Sequence, residues 1–237
     1  MSATNRTINY GDETIAFEVN FSERKTLDIS VHPNQQVTVK APVDALLEEI
    51  DRRVKKRARW ILKQQQFFSQ FDPRTPTRKY IGGETHLYLG RQYRLKVEIN
   101  LQPSVKLKGR YIHVQTPQPE CTETTQKLLE NWYLERAKTK FNERLNFCFT
   151  PFKRLGYLPP KLQIRRLDKR WGSLTATNTI ILNRDLIRAD SRSIDYVITH
   201  ELCHLKHPDH SSDFYDFLGS IMPDWEKRKL RLEQMLV

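Results

Sequence analysis

The chain has 237 residues, 38% hydrophobic and 29% charged, with a formal net charge of +12, which suits a globular protein of one large domain or two small ones. No run approaches the ~20 apolar residues of a membrane span, no basic-then-apolar signal pattern opens the chain, and Cys121, Cys148 and Cys203 are widely spaced with no CxxC pair, which disfavours a disulfide framework and a thiol zinc site. The expectation is a cytoplasmic protein with no membrane partner, whose positive field favours polyanions such as nucleic acid, nucleotides or acidic protein tails.

In chain order, residues 1–20 read as an N-terminal extension, and no internal repeat is evident. KTLDISVHPNQQVTVKAP reads as two strands, Thr26 to Val31 and Gln36 to Lys40, around a Pro-Asn turn. Asp44 is positioned to cap a helix running to about Phe71, with Leu47, Ile50, Val54, Ala58 and Ile61 as its buried face. Arg52, Lys55, Lys56, Arg59 and Lys63 form a basic stripe on the opposite face, either plain solvated surface or an anion-binding ridge. After two prolines, Gly82-Gly83 suggests a hairpin turn, and HLYLG, YRLKVEI and GRYIHVQTP suggest strands, with His86 and His113 structural. PQPE at 117–120 reads as the link between halves. A long helix then spans about Thr122 to Phe149, followed by short strands in KLQIRRL, RWGSLTA and TIILN, with a turn at Asn178. Asp190 or Ser191 caps the helix that follows.

That helix carries VITHELCHLKHPDH, which holds four of the seven histidines. His200 and His204 are four apart and stack on one helix face, so both imidazoles can meet one zinc ion. Glu201, turned about 100° away, flanks the metal without ligating it and can take a proton from a water that the metal activates. H-E-x-x-H on a helix is the zinc-hydrolase pattern. Catalytic zinc takes a third protein ligand, and His207 and His210 both offer one. Three ligands in a row along a straight helix would spread over about 10 Å, and Pro208 pushes His207 out of helical conformation. A turn at Pro208-Asp209 folds His210 back, so His210 is the favoured ligand and His207 a supporting or surface residue. Asp209, Asp213 and Tyr215 are candidates to orient the histidines, although Ser211-Ser212-Asp213 also reads as a helix cap. Cys203 flanks the ligand stripe and reads as core.

With these residues in view, the chain resembles the YgjP-like family of small zinc metallopeptidases, relatives of the SprT-like and minigluzincin proteins. The likeness runs from about Phe21 through RKTLDISVHPNQQVTVKAP, YLGRQYRLKV, RWGS and IILNRDLI to IDYVITHELCHLKHPDHSSDF. It implies one Zn2+ per chain held by His200, His204 and His210, with Glu201 as base. It also implies an α+β fold, with a zincin-like core whose small sheet packs on the metal-binding helix, after a strand-rich N-terminal part with one long helix. The expected division is 21–119 as the accessory part and 120–237 as the catalytic core of one metallopeptidase domain over 21–237. Leu174 follows RWGS where the family commonly has Cys, and Tyr215 follows Phe214 where Trp is common. RWGS looks like the rim of the cleft, so Arg170 and Trp171 are candidate substrate contacts; equally, Arg170 suits a surface ion pair and Trp171 a core anchor.

The leading reading is therefore a zinc-dependent peptidase acting on peptides or proteins. A second is metal-dependent pyrophosphohydrolysis of a nucleoside triphosphate, with Arg165, Arg166, Lys169, Arg170, Arg184 and Arg188 as phosphate-holding cations; no Gly-rich phosphate loop supports it. A third is a nucleic-acid-associated module with structural zinc, contacting nucleic acid through the basic helix face. The oligomeric state is not read from the sequence.

Overall fold

The computed structural model describes residues 4–24, 26–32, 34–69, 78–167 and 170–236. The chain forms two compact units, Met1–Thr75 and Pro76–Leu236, each with its own apolar core.

The first unit is a four-stranded sheet covered by helix. Strands β1 (Thr4–Tyr10), β2 (Glu13–Ser22), β3 (Asp28–Val31) and β4 (Val37–Pro42) lie in the order β1-β2-β4-β3. The β2–β4 pair is parallel and matches Phe17 with Val37 and Val19 with Val39. Alternation along β2 and β4 puts Ile15, Phe17, Val19, Val37, Val39 and Ala41 on one buried face. Helices α1 (Leu47–Lys56) and α2 (Ala58–Ser69) close it with Ile50, Val54, Ala58 and Ile61, the face their spacing predicts.

Three expectations change here. Within the expected N-terminal extension, the described residues from Thr4 onward are structured: β1 and β2 pair from Thr4–Val19 to Tyr10–Glu13 and supply half of the sheet. The single helix from Asp44 is two helices. Ala45 N–H bonds to the Pro42 carbonyl, so Asp44 lies in a turn, and Leu46 occupies the cap position without a side-chain bond. The break comes at Arg57, whose N–H is shared between the carbonyls of Arg53 and Val54; Phe71 falls outside the described residues. The compact units also divide between Thr75 and Pro76, rather than at the 117–120 link, because β5–β8 share a core with the C-terminal half.

In the second unit, β5 (Thr85–Tyr88), β6 (Arg91–Ile99), β7 (Ser104–Lys108) and β8 (Tyr111–Thr116) form a sheet of order β5-β6-β8-β7. The hairpin turn between β5 and β6 is Leu89-Gly90, both with positive φ, and Gly82-Gly83 precedes the pair. The 33-residue helix α3 (Thr122–Arg154) follows. A smaller sheet of β9 (Lys161–Arg165), β10 (Gly172–Thr175) and β11 (Thr179–Asn183) has the order β10-β11-β9, leaving β10 at an edge. Helices α4 (Ser191–Cys203), α5 (Ser212–Ile221) and α6 (Trp225–Leu236) complete the unit. The architecture is α+β, with the small sheet against α4. Among the described residues no helix is long and apolar enough to cross a membrane.

The two four-stranded sheets repeat one topology: antiparallel hairpin, parallel centre, antiparallel edge, then a helix. VTVKAP of β4 matches IHVQTP at 112–117, and the buried helix positions fall 8, 12 and 16 residues after each proline: Ile50, Val54 and Ala58 in the first copy, Thr125, Leu129 and Tyr133 in the second. The repeat escapes the sequence because little beyond the strand-end match and these buried positions recurs.

His86 is buried on β5 and hydrogen-bonds Glu84 at 2.9 Å. Burial outweighs that carboxylate and depresses the imidazole from 6.5 to about 4, so at neutral pH the contact is a neutral imidazole on a carboxylate. Between those values the unfolded chain binds a proton that the folded chain refuses, and stability falls as pH falls. His86→Gln should flatten this decline by up to about 3 kcal/mol, measured by urea unfolding of the metal-free protein across that pH range.

Candidate metal centre

Helix α4 is fixed at both ends and along its back. Asp190 caps it, accepting the Ser193 N–H at 2.9 Å. The β5–β6 hairpin docks just before it: Leu89 and Gly90 N–H groups bond to the Ile187 and Arg188 carbonyls at 3.0 and 2.9 Å. A Cβ on Gly90 would lie 2.7 Å from Asp190 Cβ, and its φ is +76°, so glycine is required there twice over. Along the back, buried Asp195 accepts two bonds from Arg144 of α3 at 2.6 and 2.7 Å. Ile194, Ile198, Leu202 and Cys203 are fully buried; the Cys203 thiol, pushed up to about 12 by burial, is structural.

The front of α4 presents His200, and the helix ends sooner than the proline suggested. It stops at Cys203, and His204 occupies the cap position. The N–H groups of His204, Leu205 and Lys206 bond three residues back, tightening the last turn. The chain then reverses and brings His210 over His200, with their Nε2 atoms 2.9 Å apart. One ligand nitrogen from each of His200, His204 and His210 lies within 4.8 Å of the others. Two facing imidazole nitrogens at that separation suit a shared cation between them. The donor set fits zinc: three nitrogen ligands, with His200 depressed to about 3 by burial and by the neighbouring imidazoles, hence neutral and able to donate a lone pair.

His204 Nδ1 lies 3.0 Å from the His207 carbonyl. Donating there fixes the tautomer that leaves Nε2 free. His207 thus serves through its backbone, while its ring packs 5.6 Å from Phe217. Burial and the His204 imidazole lower the His210 pKa, and exposed Asp209 only partly opposes them through space. Sequence reasoning missed Phe214, whose fully buried ring lies 4.9, 4.7 and 4.8 Å from the rings of His200, His204 and His210. Its place four residues after His210 was readable, but its contact with all three histidines was not.

Glu201 is buried in the same cleft, which has a volume of about 790 Å³. Burial raises its carboxyl to about 7, while the Leu174 N–H and the Arg170 charge pull it down. The close approach of β10 depends on Gly172, where a Cβ would lie 2.8 Å from Glu201 Cγ and 3.0 Å from Val197 Cγ1. Gly172 was overlooked between Trp171 and Ser173, although a glycine inside a strand pattern signals such a close approach. Arg170 and Trp171 both line the cleft, and Trp171 also packs on the core. Asn183 pins this rim, donating from Nδ2 to the carbonyls of Leu167 and Arg170 at 2.8 and 3.2 Å. Tyr196 forms another wall, its ring 5.9 Å from that of His200.

A family model described as YgjP-like, metallopeptidase domain, matches residues 25–235. The chain belongs to the YgjP-like family. It therefore carries a metallopeptidase domain and is a hydrolase that works with a metal. A comparison with curated proteins gave no match. Among solved structures, the metallopeptidase zymogen jannalysin of Methanocaldococcus jannaschii is 20% identical, with a TM-score of 0.37 over 41% of this chain and 91% of that one. The metallopeptidase zymogen abylysin of Pyrococcus abyssi is 25% identical, with a TM-score of 0.36 over 40% of this chain and 94% of that one.

For this YgjP-like protein, Gly172→Ala should displace the Glu201 carboxylate and leave the histidines in place. Zinc content should be unchanged while peptide turnover falls on the order of 100-fold. Metal analysis alongside initial rates checks the split, and a parallel loss of zinc would contradict it.

Proposed function

We propose that the protein is a zinc-dependent peptidase in which His200, His204 and His210 hold one zinc per chain and Glu201 is the general base. The carrying observation is the convergence of three imidazoles beside a buried carboxylate in one cleft, along the edge strand β10. Zinc, when bound, polarises a carbonyl and lowers the pKa of an attacking water. Glu201, with its carboxyl near 7, accepts the water's proton and passes it to the leaving amine nitrogen. The Leu174 N–H and Arg170 hold the carboxylate in place and favour its charged form. An extended peptide adds to the side of β10 that β11 leaves unpaired, through backbone hydrogen bonds. Trp171 and Tyr196 line the cleft in which its side chains lie. The three free cysteines support the cytoplasmic location expected from the sequence.

The pyrophosphohydrolase reading has less support. Of its six cations, Lys169 lies outside the described residues, and of the other five Arg170 alone lines the cleft. Arg165 bonds Gln163, Arg184 pairs with Glu130, and Arg188 pairs with Asp185. A structural zinc site would leave the buried Glu201 without a role.

Zinc-loaded protein should cleave peptides and leave nucleoside triphosphates intact. Glu201→Gln keeps the shape of the side chain but cannot accept the proton, so it should retain zinc and lose at least ~100-fold in turnover. Pyrophosphate release that disappears in this variant would establish the rival reading instead.

The third ligand is tested by chelator competition. His210→Ala should sharply weaken zinc binding and abolish turnover. His207→Ala keeps the carbonyl that His204 uses, so its affinity should stay within ~10-fold. The reverse ranking would overturn the ligand assignment.

A further inference from the structure

Helices α1 and α2 carry a feature that the peptidase reading does not use. From Arg52 to Lys63 there are seven basic residues and no acidic one. Arg52 and Arg53 share Glu49 at 2.6 and 2.9 Å, whereas among the described residues Lys56 and Arg57 have no carboxylate partner. Arg53, Lys56 and Arg57 line an open pocket of about 490 Å³ against the edge strand β3, together with Asp28 and Trp60. Trp60 is 39% exposed, a large apolar ring left facing solvent among cations.

The internal repeat shows that the fold does not demand these residues. Counted from the matching prolines, Arg53 and Arg57 occupy the positions of Leu128 and Trp132 in the second copy. There the same helix face is apolar and packs on the core. In the first copy it is open and cationic, and its aromatic ring comes one turn further on.

We propose that this pocket binds single-stranded nucleic acid. Its volume suits a nucleotide, Lys56 and Arg57 supply free charge for successive phosphates, and the exposed Trp60 ring offers a stacking surface for a base. Asp28, at the mouth, accepts from a base amino group. Duplex fits less well, because its bases are already stacked. This site is independent of the zinc chemistry and stands or falls without it.

The test is fluorescence anisotropy of labelled oligo(dT) and oligo(U) with the full chain over a range of salt concentrations. Lys56→Gln/Arg57→Gln should weaken binding and flatten the salt slope by about 1.4, the value for two phosphate contacts on a single strand. Trp60→Ala should weaken binding at least ~5-fold with the slope unchanged. Circular dichroism and peptide turnover should be unaltered in both variants. Tighter binding of either oligomer identifies DNA or RNA as the better ligand and supports the site. The proposal is overturned if neither oligomer binds at low salt, if Trp60→Ala binds as tightly as the native chain, or if an oligo-glutamate peptide competes as well as the oligonucleotides.

Discussion

The chemistry of this protein depends on how one helix end is buried. Helix α4 must hold His200 and Glu201 at the mouth of a cleft while its other faces lie in the core. The paired carboxylate of Asp195, the Asp190 cap and the Ile194, Ile198 and Leu202 face fix its rotation and its axial position. A slip of one residue would turn it by about 100° and exchange the ligand face for the core face. The tight last turn then starts the chain back, so that His210 meets the two helix histidines over Phe214. The three histidines share one aromatic platform, Phe214, and that platform is wholly buried.

The second constraint is the approach of β10. A helix alone would leave Glu201 solvated, with an ordinary carboxylate pKa. The strand closes over it at Gly172, and that burial raises the carboxyl to about 7. The same strand is a sheet edge, so the element that buries Glu201 also lines the cleft. Asn183 ties the approach to β10 into the sheet through two carbonyl contacts.

The repeated four-stranded motif shows how one topology serves two ends. In the second copy the helix after the sheet, α3, faces the metallopeptidase core with Leu129, Trp132, Tyr133 and Phe141. In the first copy the helix buries a narrower face and leaves the rest to cations. The buried spacing is kept because it closes the sheet, and the outer residues, which line an open pocket rather than the core, are free to diverge.

Local signals determined a good deal. The i, i+4 histidines, the adjacent glutamate and the proline after His207 pointed to a ligand set, because helical geometry is local and periodic. The strands of KTLDISV, QVTVK and TIILN and the helix at 122 were legible for the same reason. Tertiary structure decided the rest. β1 and β7 are edge strands of local hairpins and β2 gains its second partner only at β4, so their weaker patterns did not declare them. Phe214 behind the histidines and Gly172 against Glu201 are contacts between elements brought together only by folding. The sequence names the groups that can bind a metal or move a proton; burial and close approach, which arise only in the folded chain, set their orientation and their pKa.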